Sequence, residues 1–145
     1  MEKIGFASDH AGFELKEKLK KYLSESLQFE IKDFGCNSNE SCDYPDFAHL
    51  LANSVENNEC LFGIAICGTG NGINMTLNKH QKIRSALCWI PEIAEMARKH
   101  NNANICTLPA RYINFETAVA IITTFLQTDF EGDRHLRRIN KIACI

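Results

Sequence analysis

The chain has 145 residues, 45% of them apolar and 23% charged, with a formal charge of -2. That fits one domain around one core and gives no electrostatic reason to expect nucleic acid or an acidic membrane as a partner. No apolar stretch approaches the roughly 20 residues that a bilayer span needs. Met1-Glu2-Lys3-Ile4-Gly5 runs directly into a strand pattern without a signal-peptide core, so the expected location is the cytoplasm.

Residues 3–8 read as a first strand, closing on Ser8-Asp9-His10-Ala11-Gly12. A helix with Leu15, Leu19, Tyr22 and Leu23 on one face follows. Residues 29–34 alternate as a second strand, and residues 35–42 form a polar loop leading to Asp43-Tyr44-Pro45-Asp46. Pro45 suits the first turn of a helix whose buried stripe is read as Phe47, Leu50, Leu51 and Val55. The apolar run Leu61-Phe62-Gly63-Ile64-Ala65-Ile66-Cys67 then breaks into Gly68-Thr69-Gly70-Asn71-Gly72. This predicts a buried parallel strand opening into a loop at its C-terminal end, where open α/β sheets hold ligands.

Beyond it the pattern predicts a short helix over residues 73–78 and a strand over 84–89. A helix begun by Pro91 follows, with Ile90, Ile93, Ala94 and Ala97 inward. The fifth strand is expected over 104–108, then a helix over 115–126 with Phe115, Val119, Ile122 and Leu126 inward, and a last basic helix over 131–143. Strands alternating with helices and no hairpin signals imply an α/β fold, a parallel sheet covered on both faces. The whole chain, 1–145, is read as one domain.

The cysteines number seven, an odd set, and Cys67, Cys88 and Cys106 sit in or at the ends of apolar runs, as reduced thiols do. No C-x-x-C pair and no i, i+4 histidine pair offers a zinc site, so no metal is expected. Glycines at 68, 70 and 72 leave backbone N–H groups free to converge on an anionic oxygen. Cys67 at the rim of such a nest is a base or nucleophile, or else a buried structural thiol. A dinucleotide fingerprint fails because Ile73 stands where its third glycine belongs.

Strand ends share one rim in a parallel sheet, which should bring Asp9 and His10, Cys67 with its loop, and residues 109–111 together. Taken singly, Asp9 also reads as a helix N-cap, His10 as a helix-start residue, and Asp43 and Tyr44 as a turn. Arg134 and Arg138 are i, i+4 and project from one helix face about 5–6 Å apart, a spacing that can fork onto a phosphate or simply form a solvated basic face. The cluster is small and has no aromatic stacking platform, which argues against nucleic acid. His100 closes the helix begun at Pro91, where the carbonyl dipoles favour imidazolium, a placement that suits a proton donor near neutral pH and equally an ordinary helix C-terminal histidine.

In this order and at these spacings the chain resembles the ribose-5-phosphate isomerase B family, which also contains galactose-6-phosphate isomerase subunits. The motifs are Ser8-Asp9-His10-Ala11-Gly12, Asp43-Tyr44-Pro45, Cys67 to Gly72, Asn78-Lys79, His100-Asn101 and Glu131-Gly132 with Arg134-His135 and Arg138. The resemblance covers essentially the whole chain. It implies a Rossmann-like three-layer α/β/α sandwich with a five-stranded parallel sheet, no metal or organic cofactor, and a homodimer or dimer of dimers with shared active sites.

The implied reaction interconverts D-ribose 5-phosphate and D-ribulose 5-phosphate. A hexose 6-phosphate such as galactose or allose 6-phosphate is the alternative substrate, and a non-catalytic nucleotide- or phosphate-binding module the distant alternative. Carried over by position, Cys67 matches the base, and Gly68, Gly70, Asn71 and Gly72 match the anion hole. His100 matches the ring-opening group with Thr69 as helper. Asp9, Tyr44 and Asn101 match hydroxyl-binding residues, and His10, Arg111, Arg134 and Arg138 the phosphate clamp. The resemblance further implies that His100, Asn101 and Arg111 come from the neighbouring subunit. A branch of the family uses a glutamate just after the glycine loop as base; Ile73 stands at that place and places the chain with the cysteine users. Asp133 occupies a position where the family usually has glycine, and is expected to face solvent.

Overall fold

The computed structural model describes residues 2–145. Five parallel strands, β1 (Lys3–Ser8), β2 (Glu30–Asp33), β3 (Phe62–Cys67), β4 (Ser85–Leu87) and β5 (Ile105–Pro109), form one sheet in the order β2-β1-β3-β5-β4. Helices α1 (Phe13–Tyr22), α4 (Pro91–Asn101) and α5 (Phe115–Gln127) contribute to the core on one face. Helices α2 (Tyr44–Glu56) and α3 (Asn71–Leu77) cover the other. The expected α/β/α sandwich with a five-stranded parallel sheet is therefore observed.

Side chains on a strand alternate between faces, and the two core clusters follow that period. Ile4, Phe6, Ile64, Ile66, Cys106 and Leu108 pack toward α1, α4 and α5. Ala7, Ala65, Cys67 and Ile105 pack toward α2 and α3. Small residues on the second face let α2 lie close. A Cβ on Gly5 would sit 2.6 Å from Leu51 Cδ1, and one on Gly63 would sit 3.0 Å from the same atom. Leu51 fills the groove that the two glycines leave, which accounts for the stripe observed on α2. Ala48, Leu51, Ala52 and Val55 are buried, whereas Leu50, expected inward, is 50% exposed.

Other expectations shift by less. On α5 the buried residues are Ala118, Ile121, Ile122 and Phe125, with Phe115, Val119 and Leu126 half-buried on the flanks. Ile90 caps α4 from outside and is exposed. Helix α3 starts at Asn71 because Gly70, at φ +79°, makes the left-handed step that turns the chain into it. The last helix is much shorter than expected, α6 (Arg134–Ile139). Gly132 at φ +76° and Asp133 at φ +51° cannot continue a helix, so residues 131–133 form a sharp bend before it.

From β1 the chain moves outward to β2; from β3 it moves the opposite way to β4 and β5. The C-terminal ends of β1 and β3 therefore flank the point where the winding reverses, and a crevice opens there.

Candidate active site

Each wall of this upper crevice, about 430 Å³ in volume, is built by a different strand or helix end. Beyond β1, the Asp9 amide donates to Ile66 O of β3 (3.2 Å), and Asp9 Oδ1 accepts the Gly12 amide (3.0 Å). A Cβ on Gly12 would lie 2.6 Å from Ile66 O, so only glycine lets this turn pack against β3. Asp9 is consequently 8% exposed with one carboxylate oxygen committed. His10 Nδ1 accepts the Cys42 amide (3.2 Å), the tautomer that carries its proton on Nε2.

From the start of α2 comes Tyr44. A Cβ on Gly72 would approach its Cζ to 2.5 Å and its hydroxyl oxygen to 2.7 Å, so the phenol rests on the first turn of α3. Cys67, at the end of β3, is 5% exposed yet lines the crevice. Its side chain is directed by strand alternation toward α2 and α3. The loop after it is tied down by its carbonyls: Cys67 O accepts from Ala110 N (2.9 Å) and Gly68 O from Arg111 N (3.0 Å). Among the described residues the Gly68, Thr69 and Gly70 amides meet no protein acceptor, so they are available to an incoming oxyanion. Asn71 differs from expectation: its amide donates to Thr69 Oγ1 (3.2 Å), which removes one donor from the hole and fixes the threonine side chain. Arg111 is a second correction. It lines the crevice of its own chain, its Nη1 3.0 Å from where a Gly68 Cβ would be, rather than belonging only to a neighbour's site.

Sequence reading missed Cys42, which lines the crevice with its Sγ 4.0 Å from His10 Nδ1. Burial and then the Cys36 thiol push its pKa up to about 11. That upward direction favours the thiol form of Cys42. Its place directly before Asp43-Tyr44 was the only signal that could have found it.

The remaining expected residues stand at the opposite end of the sheet. Helix α4 runs antiparallel to the strands, so its last turn falls at their N-terminal edge. There Arg84 Nε donates to Asn101 O (3.0 Å), and Arg84 N donates to Asn104 Oδ1 (2.8 Å). His100 stacks on His135 with ring centroids 4.4 Å apart, and its Nε2 lies 3.8 Å from Glu131 Oε1. Burial, then Arg134 and His100, lower the His135 pKa. Arg134 and Arg138 are exposed on α6 beside this edge. One chain thus gathers Asp9, His10, Tyr44, Cys67, Thr69, the glycine loop and Arg111, and holds His100, Asn101, Arg134 and Arg138 apart from them.

A family model described as Ribose/Galactose Isomerase matches residues 4–142. The chain belongs to the Ribose/Galactose Isomerase family. Ribose-5-phosphate isomerase B of Escherichia coli is 39% identical over 145 residues, spanning 100% of this chain and 97% of that protein. A probable ribose-5-phosphate isomerase B of Mycoplasma genitalium is 42% identical, spanning 96% of this chain and 92% of its own. Among solved structures, a ribose 5-phosphate isomerase of Thermotoga maritima superposes with a TM-score of 0.96 at 52% identity, covering 99% of this chain and 98% of that one. The Mycoplasma genitalium ribose-5-phosphate isomerase B with bound ribulose-5-phosphate superposes with a TM-score of 0.91 at 42% identity, covering 97% and 93%. Members of this family thus share the fold over its full length, including the winding reversal where the upper crevice lies.

Proposed function

We propose that this chain is a cofactor-independent isomerase interconverting D-ribose 5-phosphate and D-ribulose 5-phosphate, and that it works as a homodimer or dimer of dimers in the cytoplasm. The observation that carries the reading is Cys67 lining a crevice directly beside uncommitted backbone amides of the glycine loop. In the open-chain aldose, Cys67 as thiolate takes the C2 proton. The electron pair moves to the carbonyl oxygen, giving an enediolate held by the Gly68, Thr69 and Gly70 amides. Transfer of the O2 hydroxyl proton to O1 moves the charge to O2; return of the carbon-bound proton from the Cys67 thiol to C1 then forms the C2 carbonyl of the ketose and regenerates the thiolate. Losing one donor of such a hole typically costs about 3–4 kcal/mol in the barrier, and a positioned base contributes about 10²–10⁴-fold.

Asp9, Tyr44 and Asn101 hold sugar hydroxyls, and His10, Arg111, Arg134 and Arg138 hold the phosphate. His100, with Thr69 as helper, opens the furanose. Because His100, Asn101, Arg134 and Arg138 stand at the far edge of their own sheet, a second copy supplies them. Family membership supports the reaction. An odd set of seven cysteines, five of them buried in the core, suits a reducing compartment, and no helix among the described residues is long and apolar enough to cross a membrane.

The test is incubation with ribose 5-phosphate without added cofactor, following ketose formation, with galactose 6-phosphate and allose 6-phosphate run alongside. Turnover of the pentose, and its loss by at least about 10²-fold in Cys67→Ala with sugar-phosphate binding retained, is the expected result. Undiminished turnover in that variant removes Cys67 as the base.

A further inference from the structure

Three side chains at the lower edge share one small volume. His100 Nε2 and Glu131 Oε1 are 3.8 Å apart, the His135 ring lies on His100 with 17° between planes, and one donor atom from each residue falls within 4.8 Å of the other two. His135 is 7% exposed, and its Nε2 is enclosed with no hydrogen-bond partner among the described residues. An enclosed ring nitrogen left in that state is costly and calls for a ligand. The bend at Gly132 and Asp133 produces the cluster: Glu131 N donates to Lys99 O (3.1 Å) on one side of it, and α6 returns His135 to α4 on the other.

We propose that His100, Glu131 and His135 form a binding site for a divalent cation of the zinc class, with water completing the shell. Two imidazoles and one carboxylate suit such borderline cations, whereas magnesium and calcium favour oxygen alone. The rings are stacked, so co-ligation requires the part-exposed His100 to rotate about its side-chain bonds until its nitrogen faces Glu131 and His135 across one ion. Arg134 and Arg138, one position before and three after His135 on α6, add positive charge beside the cluster, repel a cation and make the site a reversible one. The consequence for catalysis rests on the function proposed above: a cation on His100 withdraws the ring-opening group. The site is inhibitory and does not make the enzyme metal-dependent.

Titration of the reduced, full-length protein with Co²⁺, read by calorimetry and visible absorption, tests the site. The expected result is saturable binding with the spectrum of nitrogen and oxygen ligands, at least tenfold weaker in Glu131→Gln and in His135→Asn. Thiolate ligation adds strong sulfur-to-metal charge-transfer bands. Binding that carries those bands, no saturable binding, or unchanged binding in Glu131→Gln overturns the proposal. Glu131 is exposed, so its variant remains informative where His135→Asn fails to fold. Zn²⁺ added to turnover assays should inhibit reversibly, with chelator restoring activity and Glu131→Gln losing the inhibition. Full activity with the cation bound overturns the inhibitory role. Absence of turnover on every sugar phosphate defeats the functional reading, while Co²⁺ binding still decides the site.

Discussion

At the upper crevice, Asp9 is 8% and Cys67 5% exposed, and the surrounding turns are fastened by backbone hydrogen bonds to neighbouring strands. At the lower edge, Asn101, Glu131, Arg134 and Arg138 are exposed, and the segment joining α5 to α6 passes through two consecutive residues of positive φ. Around Cys67 the upper crevice presents short side chains and main-chain dipoles held in place before any ligand arrives, the arrangement that stabilises developing charge without reorganisation, with Arg111 its exposed long side chain. The lower half is made of long side chains with freedom still to lose. Such groups gain fixed geometry when a second surface closes over them, and that is the physical reason for pairing the upper crevice of one copy with the lower edge of another.

The sharpest way to break this pairing is to disable the halves separately. His100→Asn and Cys67→Ala should each cut turnover by about 10²-fold or more. Mixed and allowed to exchange subunits, they should recover about a quarter of wild-type activity, because each hybrid dimer holds one intact shared site. No recovery in demonstrably exchanged subunits means that both residues serve one chain's own site.

A smaller effect sharpens the same division. Arg138→Ala removes a charge-assisted bond to phosphate, so KM should rise about tenfold or more with kcat little changed. An unchanged KM in steady-state assays removes Arg138 from the clamp and leaves it to His10, Arg111 and Arg134.

The smallest effect is one of stability and belongs to the sheet edge beside α1. Asp33 accepts from the fully buried Lys16 at 2.7 and 2.6 Å and from Lys20 at 2.6 Å. Burial raises its pKa, but hydrogen bonds from Lys16, Lys20 and the Gly35 amide outweigh that and lower it below the ordinary value of 3.8. A depressed carboxyl pKa stabilises the fold above the unfolded-state pKa and loses that contribution as pH falls through the folded one. Asp33→Asn should therefore lower Tm at neutral pH and flatten the acid limb of the Tm profile below about pH 4, while leaving the crevice chemistry intact. A parallel shift at all pH values contradicts the assignment.

Much of this was legible from order and spacing. The run from Leu61 to Cys67 gives β3, and its abrupt end on alternating glycines marks the ligand loop, because a buried parallel strand needs apolar residues on both faces and a close backbone approach needs glycine. The stripe of α2 was not legible. Leu50 is the more apolar residue, but Ala48 and Ala52 are buried because Gly5 and Gly63, distant in sequence, bring the helix close to the sheet. Cys42 was hidden for a similar reason, since its neighbour is His10, across a loop and thirty-two positions away. Helix α6 was overestimated because the basic pattern continues through residues whose backbone, at Gly132 and Asp133, leaves helical space.

The amino-acid sequence by itself determined the alternation of strands and helices, the glycine loop after Cys67 and the kinds of groups that act on a sugar phosphate, since these follow from local period, turn chemistry and side-chain type. Only the tertiary structure decided which of those groups meet. Parallel strands carry residues at their C-terminal ends to one rim, and antiparallel helices carry residues at theirs to the opposite edge, so His100 and Cys67, both conspicuous along the chain, are separated within one subunit.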